Sequence, residues 1–166
     1  KEFTYGKMVA RISLPDGKAL WPAFWMLGSN FDSIGWPRCG EIDIMERVNA
    51  EPFTHGHAHW FDGRHVDWGQ STKDNHWNKF EFDPKGWHEY AIEWDENAIK
   101  WYVDDKQVMA LNITGSNNGT DAFRKPFYFL LNLAVGGEWP GMPDHTTPNS
   151  STMFVDYVRV YQKTDV

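Results

Sequence analysis

Along most of this chain apolar and polar residues alternate with a period of two, the spacing that places every other side chain of a β-strand on one face. Runs of this kind cover Lys7 to Leu14, Phe24 to Leu27, Glu41 to Arg47, Thr54 to Phe61, His88 to Trp94, Ile99 to Val103, Phe127 to Val135 and Met153 to Tyr161, with a strand-like opening at Phe3-Thr4-Tyr5-Gly6. Between them stand Pro15-Asp-Gly17, Asp62-Gly63, Pro84-Lys-Gly86, Val103-Asp-Asp105 and Gly136-Gly137, the chemistry of tight antiparallel connections. No run keeps a helical apolar period for three turns. The pattern predicts one all-β domain over residues 1–166, two sheets packed as a sandwich. Gly28 to Gly40, Asp62 to Phe80, Thr114 to Lys125 and Gly136 to Ser151 are too long for simple connectors and are expected to form loops around a site.

One run breaks its own rule. In Glu41-Ile-Asp-Ile-Met-Glu46, alternation sets Glu41 and Asp43 against Ile42 and Ile44, but a strict count then places Glu46 in the core, where an unpaired charge is heavily penalised. A β-bulge that accommodates one extra residue, expected at Met45, returns Glu46 to the face of the other two acids. Carboxylates crowded on one face repel, so at least one holds its proton near neutral pH, the arrangement acid/base chemistry needs beside a nucleophile. Such a set suits cleavage of a glycosidic bond with retention, where two carboxyl groups stand about 5–5.5 Å apart. On a flat strand Glu41 and Glu46 would be about 13 Å apart, so the reading requires a curved sheet.

Composition narrows the ligand. The chain has 166 residues, 41% of them hydrophobic, enough for one core and too few for two. Ten tryptophans exceed what packing asks of this length and offer flat surfaces on which sugars stack. A net charge of −7 argues against a nucleic-acid partner. The single Cys39 allows no internal disulfide, and no apolar run reaches membrane-spanning length. The chain opens on Lys1 without an initiator Met, which reads as a mature, processed or trimmed chain.

Trp36-Pro-Arg-Cys-Gly-Glu-Ile-Asp-Ile-Met-Glu46 resembles the active-site strand of glycoside hydrolase family sixteen, in the form with an inserted Met found in laminarinases, which are endo-β-1,3-glucanases. Segments at Phe3 to Arg11, Leu20 to Leu27, His55-Gly-His-Ala-His-Trp60, Trp87 to Tyr90, Ile99 to Asp104, Asn132 to Gly141 and Val155 to Tyr161 resemble family segments in the family's order. The resemblance implies a jelly-roll β-sandwich whose concave sheet forms an open cleft for polymeric β-glucan. It assigns Glu41 as nucleophile, Glu46 as acid/base and Asp43 as their assistant. It implies a secreted, monomeric enzyme that needs no catalytic cofactor. Family domains carry several strands ahead of the segment matching Phe3 to Gly6, which leaves three expectations open: a fragment completed by an upstream piece of the same protein, strands supplied by another chain, or sheet edges closed differently. Rival readings are a mixed-linkage β-1,3-1,4-glucanase, against which the inserted Met45 argues, and a non-catalytic glucan-binding module, which has no need of three acids.

Trp36 is expected beneath the sugar next to the scissile bond, and Trp139, in a Gly- and Pro-rich loop that is hard to bury, as a further sugar platform. Trp21 and Trp25 divide between cleft and core; Trp87, Trp94 and Trp101 are assigned to the core. Asn132 and Glu138 flank a loop that would contact sugar hydroxyls. His55, His57 and His59 share a face, but three on one strand span too far to bind one ion without curvature. His59 is expected as a hydrogen-bond partner near the acid/base, while His57 stands where the family usually has Thr and inherits no role. Asp156 resembles the ligand of a structural calcium on the face away from the cleft.

Overall fold

The computed structural model describes residues 1–74, 81–115 and 119–163, and in it the chain folds as two antiparallel sheets around one apolar core. The strands are β1 (Glu2–Phe3), β2 (Gly6–Ser13), β3 (Leu20–Gly28), β4 (Glu41–Glu46), β5 (His55–Phe61), β6 (His65–Ser71), β7 (His88–Trp94), β8 (Ala98–Val103), β9 (Lys106–Asn112), β10 (Phe127–Val135) and β11 (Phe154–Tyr161). One sheet runs β1-β10-β3-β4-β5-β6 and the other β11-β2-β7-β8-β9, a jelly-roll-like sandwich. Among the described residues the only helical turns are α1 (Phe31–Ile34) and two short 3₁₀ turns at Thr72–Asp74 and Thr120–Arg124. No helix of the described residues is long and apolar enough to cross a membrane.

Alternation builds the core. Met8, Ala10 and Ile12 of β2, Ile92 of β7, Ile99 of β8 and Phe24 and Met26 of β3 are fully buried between the sheets. Each large apolar side chain placed there contributes about 1.5–3 kcal/mol.

Two strands went unread in the sequence. β6 lies inside the stretch expected as a loop from Asp62 to Phe80, whose residues 75–80 fall outside the described ones, as do 116–118 of the stretch from Thr114. Val66 and Trp68 of β6 do alternate with polar neighbours, but both are only half-buried on an edge strand. In β9, Val108 and Met109 are adjacent and both buried, because the β8–β9 register shifts between Trp101 and Tyr102, so a count by twos fails there. Trp94 and Trp101 lie in the core as expected. Trp87 does not: it is 44% exposed at the start of β7, beneath the Arg11 guanidinium, whose carbon stands 4.7 Å from the ring centroid.

The sandwich is well covered at its centre and open along one side. β11 ends its sheet, and β10, paired with β3 on one flank, is covered on the other only by the two-residue β1. Val135 and Phe154 remain 58% and 56% exposed, and Leu131, Val155 and Val158 are also exposed.

Candidate active site

β4 lies inside its sheet, bonded to β3 on one side and β5 on the other, so its backbone position is fixed from both flanks. The bulge is present. Asp43 pairs with His57 and Glu46 with His55, leaving Ile44 and Met45 opposite the single Gly56. Against β3 the extra residue is Ile44 rather than Met45, since Met45 pairs with Phe24 and Asp43 with Trp25. Both apolar side chains enter the core, Ile44 at 4% and Met45 at 0% exposure, and this frees Glu46 to join Glu41 and Asp43 on the cleft face. A side chain from the opposite sheet pins the bulge: Trp101 donates its indole Nε1 to the Asp43 carbonyl at 2.9 Å. Gly56 is a glycine for this reason, because a Cβ there would lie 2.8 Å from Trp101 Nε1 and Cδ1.

Each acid has its own neighbours. Glu41 Oε2 accepts from Trp36 Nε1 at 2.6 Å. Glu46 Oε1 accepts from Trp21 Nε1 at 2.9 Å, and Glu46 Oε2 lies 2.7 Å from His57 Nδ1. Asp43, 2% exposed, shares a hydrogen bond with Glu41, and its Oδ2 faces His59 Nε2 at 3.3 Å. That last contact is an ion-pair approach rather than a well-formed hydrogen bond, and among the described residues Asp43 Oδ2 has no hydrogen-bond partner. Burial raises the Asp43 carboxyl well above the ordinary range, and the charges of Glu46 and Glu41 raise it further. Glu41 is also raised by burial, with the hydrogen bonds from Asp43 and Trp36 opposing. Asp43 and Glu41 share one proton, with a protonated Asp43 donating to an ionised Glu41.

Asp43 therefore carries a stability signature. The unfolded chain releases its proton in the ordinary carboxylate range and the folded chain only well above it, so its favourable contribution is complete at low pH and is lost as pH rises toward the folded value. Asp43→Asn, which does not titrate, should melt above the native chain at pH 7, with the gap closing toward pH 3, while activity falls. Melting temperatures from pH 3 to 8 check this; a gap independent of pH would reject it.

Histidine roles differ from expectation. His59 stands beside Asp43 and, at 3.9 Å, Glu41, not beside Glu46; the histidine on Glu46 is His57. The bulge shifts the cross-strand register by one residue, and with it the partner each histidine meets. β6 adds His65, whose Nε2 is 3.0 Å from His59 Nδ1, and Asp67, 3.6 Å from the same nitrogen. Neither stands out in the sequence, because the weak alternation of β6 resembles loop. Burial lowers His59 below the usual imidazole range, with Asp67 opposing.

The aromatic residues line the same face. Trp36 is 45% exposed, its ring centroid 4.6 Å from that of His65. Trp139, 39% exposed, stands edge-on to Trp21 at 5.4 Å and to His55 at 4.8 Å. Trp25 donates to Asn132 Oδ1 at 2.7 Å, which fixes both side chains, and Glu138 is exposed in the turn next to Trp139. Beyond Glu46 the cleft continues into a cavity of about 550 Å³ bounded by Glu51, Phe53, His55, His57 and Lys73.

Donor atoms of Glu41, Asp43 and His59, and of Asp43, Glu46 and His57, come within 4.8 Å of one another in each trio. The hydrogen bonds and close approaches among these groups make the cluster a proton-sharing network. Asp156 stands apart on β11, where its Oδ2 accepts from Arg11 Nη1 at 2.9 Å. Among the described residues it belongs to no cluster of three or more carboxylate, imidazole or thiolate groups, so the side chains around it do not by themselves compose a calcium shell.

The sequence profile of Glycosyl hydrolases family 16 matches residues 1–159. Glucan endo-1,3-beta-glucosidase A1 of Niallia circulans is 37% identical over 96% of this chain and 24% of its own length, and the Beta-glucanase of Rhodothermus marinus is 36% identical over 96% of this chain and 58% of its own. The laminarinase catalytic domain of Thermotoga maritima superposes with a TM-score of 0.82 at 38% identity, over 99% of this chain and 66% of that one. The chain thus spans about a quarter to three fifths of the two curated relatives.

Proposed function

Since the chain belongs to glycosyl hydrolase family 16, we propose that it cleaves internal β-1,3-glucosidic bonds of laminarin-type glucans with retention of configuration. The observation that carries this reading is the bulged strand β4, which sets three carboxyls on one cleft face with each outer one held by an indole N–H. Glu41 attacks the anomeric carbon while Glu46 gives its proton to the departing glycosidic oxygen. Glu46 then takes a proton from the water that displaces Glu41, so two inversions at one carbon restore the starting configuration. Asp43 keeps its proton and donates to Glu41, which keeps Glu41 ionised and oriented; Trp36 fixes its other oxygen. The exposed faces of Trp36 and Trp139 supply stacking surfaces for glucose rings.

A glucan polymer does not cross a membrane, so we place the reaction outside the cell. A structural calcium at Asp156 would require oxygens beyond its present side-chain neighbours and the displacement of Arg11, and no step of the reaction depends on it.

Incubation with laminarin should release reducing ends as chain length falls, and ¹H NMR at early times should find the β-anomer first. Early α-product would reject retention. Binding of laminarin without release would favour a glucan-binding module, and a clear preference for lichenan would favour the mixed-linkage reading.

A further inference from the structure

His57 enters this site by a route of its own. Its Nδ1 lies 2.7 Å from Glu46 Oε2, while Trp21 holds the other oxygen of the same carboxyl. The ring is seated by design of the neighbouring strand: Gly69 of β6 is its cross-strand partner, and a Cβ at residue 69 would fall 1.8 Å from His57 Cδ2. Trp139 closes edge-on over the ring at 5.6 Å. His57 is therefore positioned by β4, β6 and the loop carrying Trp139, and all three hold it toward Glu46.

We propose that His57 is a positioning residue that shares one proton with Glu46 and so keeps that carboxyl able to alternate between acid and base. The proposal rests on the assignment of Glu46 as the acid/base. Trp21 offers an indole N–H that can only donate, so it suits a carboxylate in every state and has no proton to exchange. Imidazole nitrogen either accepts or donates. When Glu46 is protonated, neutral His57 carries its hydrogen on Nε2 and accepts at Nδ1; once the Glu46 proton has passed to the departing glycosidic oxygen, His57 gives up its Nε2 proton to solvent, gains one at Nδ1 and donates it to the carboxylate that must next take a proton from water.

The charges facing His57 favour this exchange. From β4 come Glu46, Glu41 and Asp43; from β6 Asp67, with Lys73 in the turn after it. Its own strand contributes His55 and His59, stacked on either side at 6.0 and 5.9 Å, and Glu51 binds His55 rather than His57. Burial alone would lower His57, but the hydrogen bond and charge of Glu46 outweigh it and raise the imidazole above its usual range. The proton shared across the 2.7 Å contact is thus held by His57 to higher pH than an imidazole without that partner would hold it.

His57→Asn keeps a polar group near the Nδ1 position and removes the titration. In this variant the alkaline limb of kcat/KM on laminarin should move to lower pH by about one unit. At pH 7 its loss on laminarin should exceed by about tenfold its loss on a 2,4-dinitrophenyl β-laminaribioside, whose leaving group departs without a proton. A limb that stays in place, or equal losses on both substrates, overturns the proposal, since a merely structural role would depress both alike. Imidazole ¹⁵N NMR of the full chain gives a readout independent of turnover: the His57 titration should fall to lower pH in Glu46→Gln, and an unmoved titration overturns the pairing. A native chain that releases no reducing ends would instead reject the function assigned above, with the NMR result still deciding the pair.

Discussion

Glu41→Ala should lower kcat on laminarin by on the order of 10⁵-fold while leaving the melting temperature close to that of the native chain. The fold does not depend on this carboxyl. It lies partly open on the cleft face, and burial raises its proton affinity, so removing it relieves a desolvation cost while giving up the bond from Trp36. Catalysis depends on it because no other carboxyl can replace it: Asp43 is buried and protonated, and Glu46 is held between Trp21 and His57. Azide separates the roles. In Glu41→Ala a small anion occupies the vacated space and displaces an activated aryl leaving group once, giving the inverted glycosyl azide. In Glu46→Ala the glycosyl enzyme still forms from such a substrate and azide displaces Glu41, giving the retained one. Activity of Glu41→Ala within tenfold of native, or the opposite azide stereochemistry, would reverse the assignment.

Trp101→Ala should cost about 3–5 kcal/mol in chemical denaturation, the range for removing a large buried aromatic. Trp101 is 1% exposed and spans from β8 to the bulge of β4, so its loss opens a void beneath the catalytic strand and deprives the Asp43 carbonyl of its donor. Trp101→Phe divides these effects. It retains most of the volume and leaves the buried carbonyl unpaired, a cost of about 1–3 kcal/mol. Because the carbonyl belongs to a catalytic-face residue, Trp101→Phe should also lose activity at temperatures where it remains folded, whereas a comparable void elsewhere in the core would not. Equal activity in native and Trp101→Phe chains at 25 °C would detach the bulge from the sheet behind it.

The acids were legible in the sequence because three carboxylates on an alternating strand contradict burial, and only a bulge resolves the contradiction. Which residue the bulge displaces was not legible. Ile44 and Met45 are both apolar, and the pairing of β4 with β3, which leaves Ile44 unpartnered, is a property of two strands together. His57 was passed over for the same reason, since the one-residue shift that delivers it to Glu46 appears only when β5 is laid against β4. Gly69 carried no signal alone; its meaning is the ring that lies against it. Trp87 looks like core because it is an aromatic beside a strand, but its place just ahead of β7, under Arg11 of the adjacent β2, leaves it exposed.

The uncovered side along β10 and β11 gives the sandwich a gradient of cooperativity. Local openings that cost least free energy start where inward-facing side chains already meet water, at Leu131, Val135 and Val155. Those needing most work lie where strands are paired on both flanks and capped by the opposite sheet, which is where β4 stands with Trp101 behind it. The acids therefore sit on the part of the lattice that yields last, and fluctuations that fray the margin leave the reacting geometry in place until the whole domain unfolds.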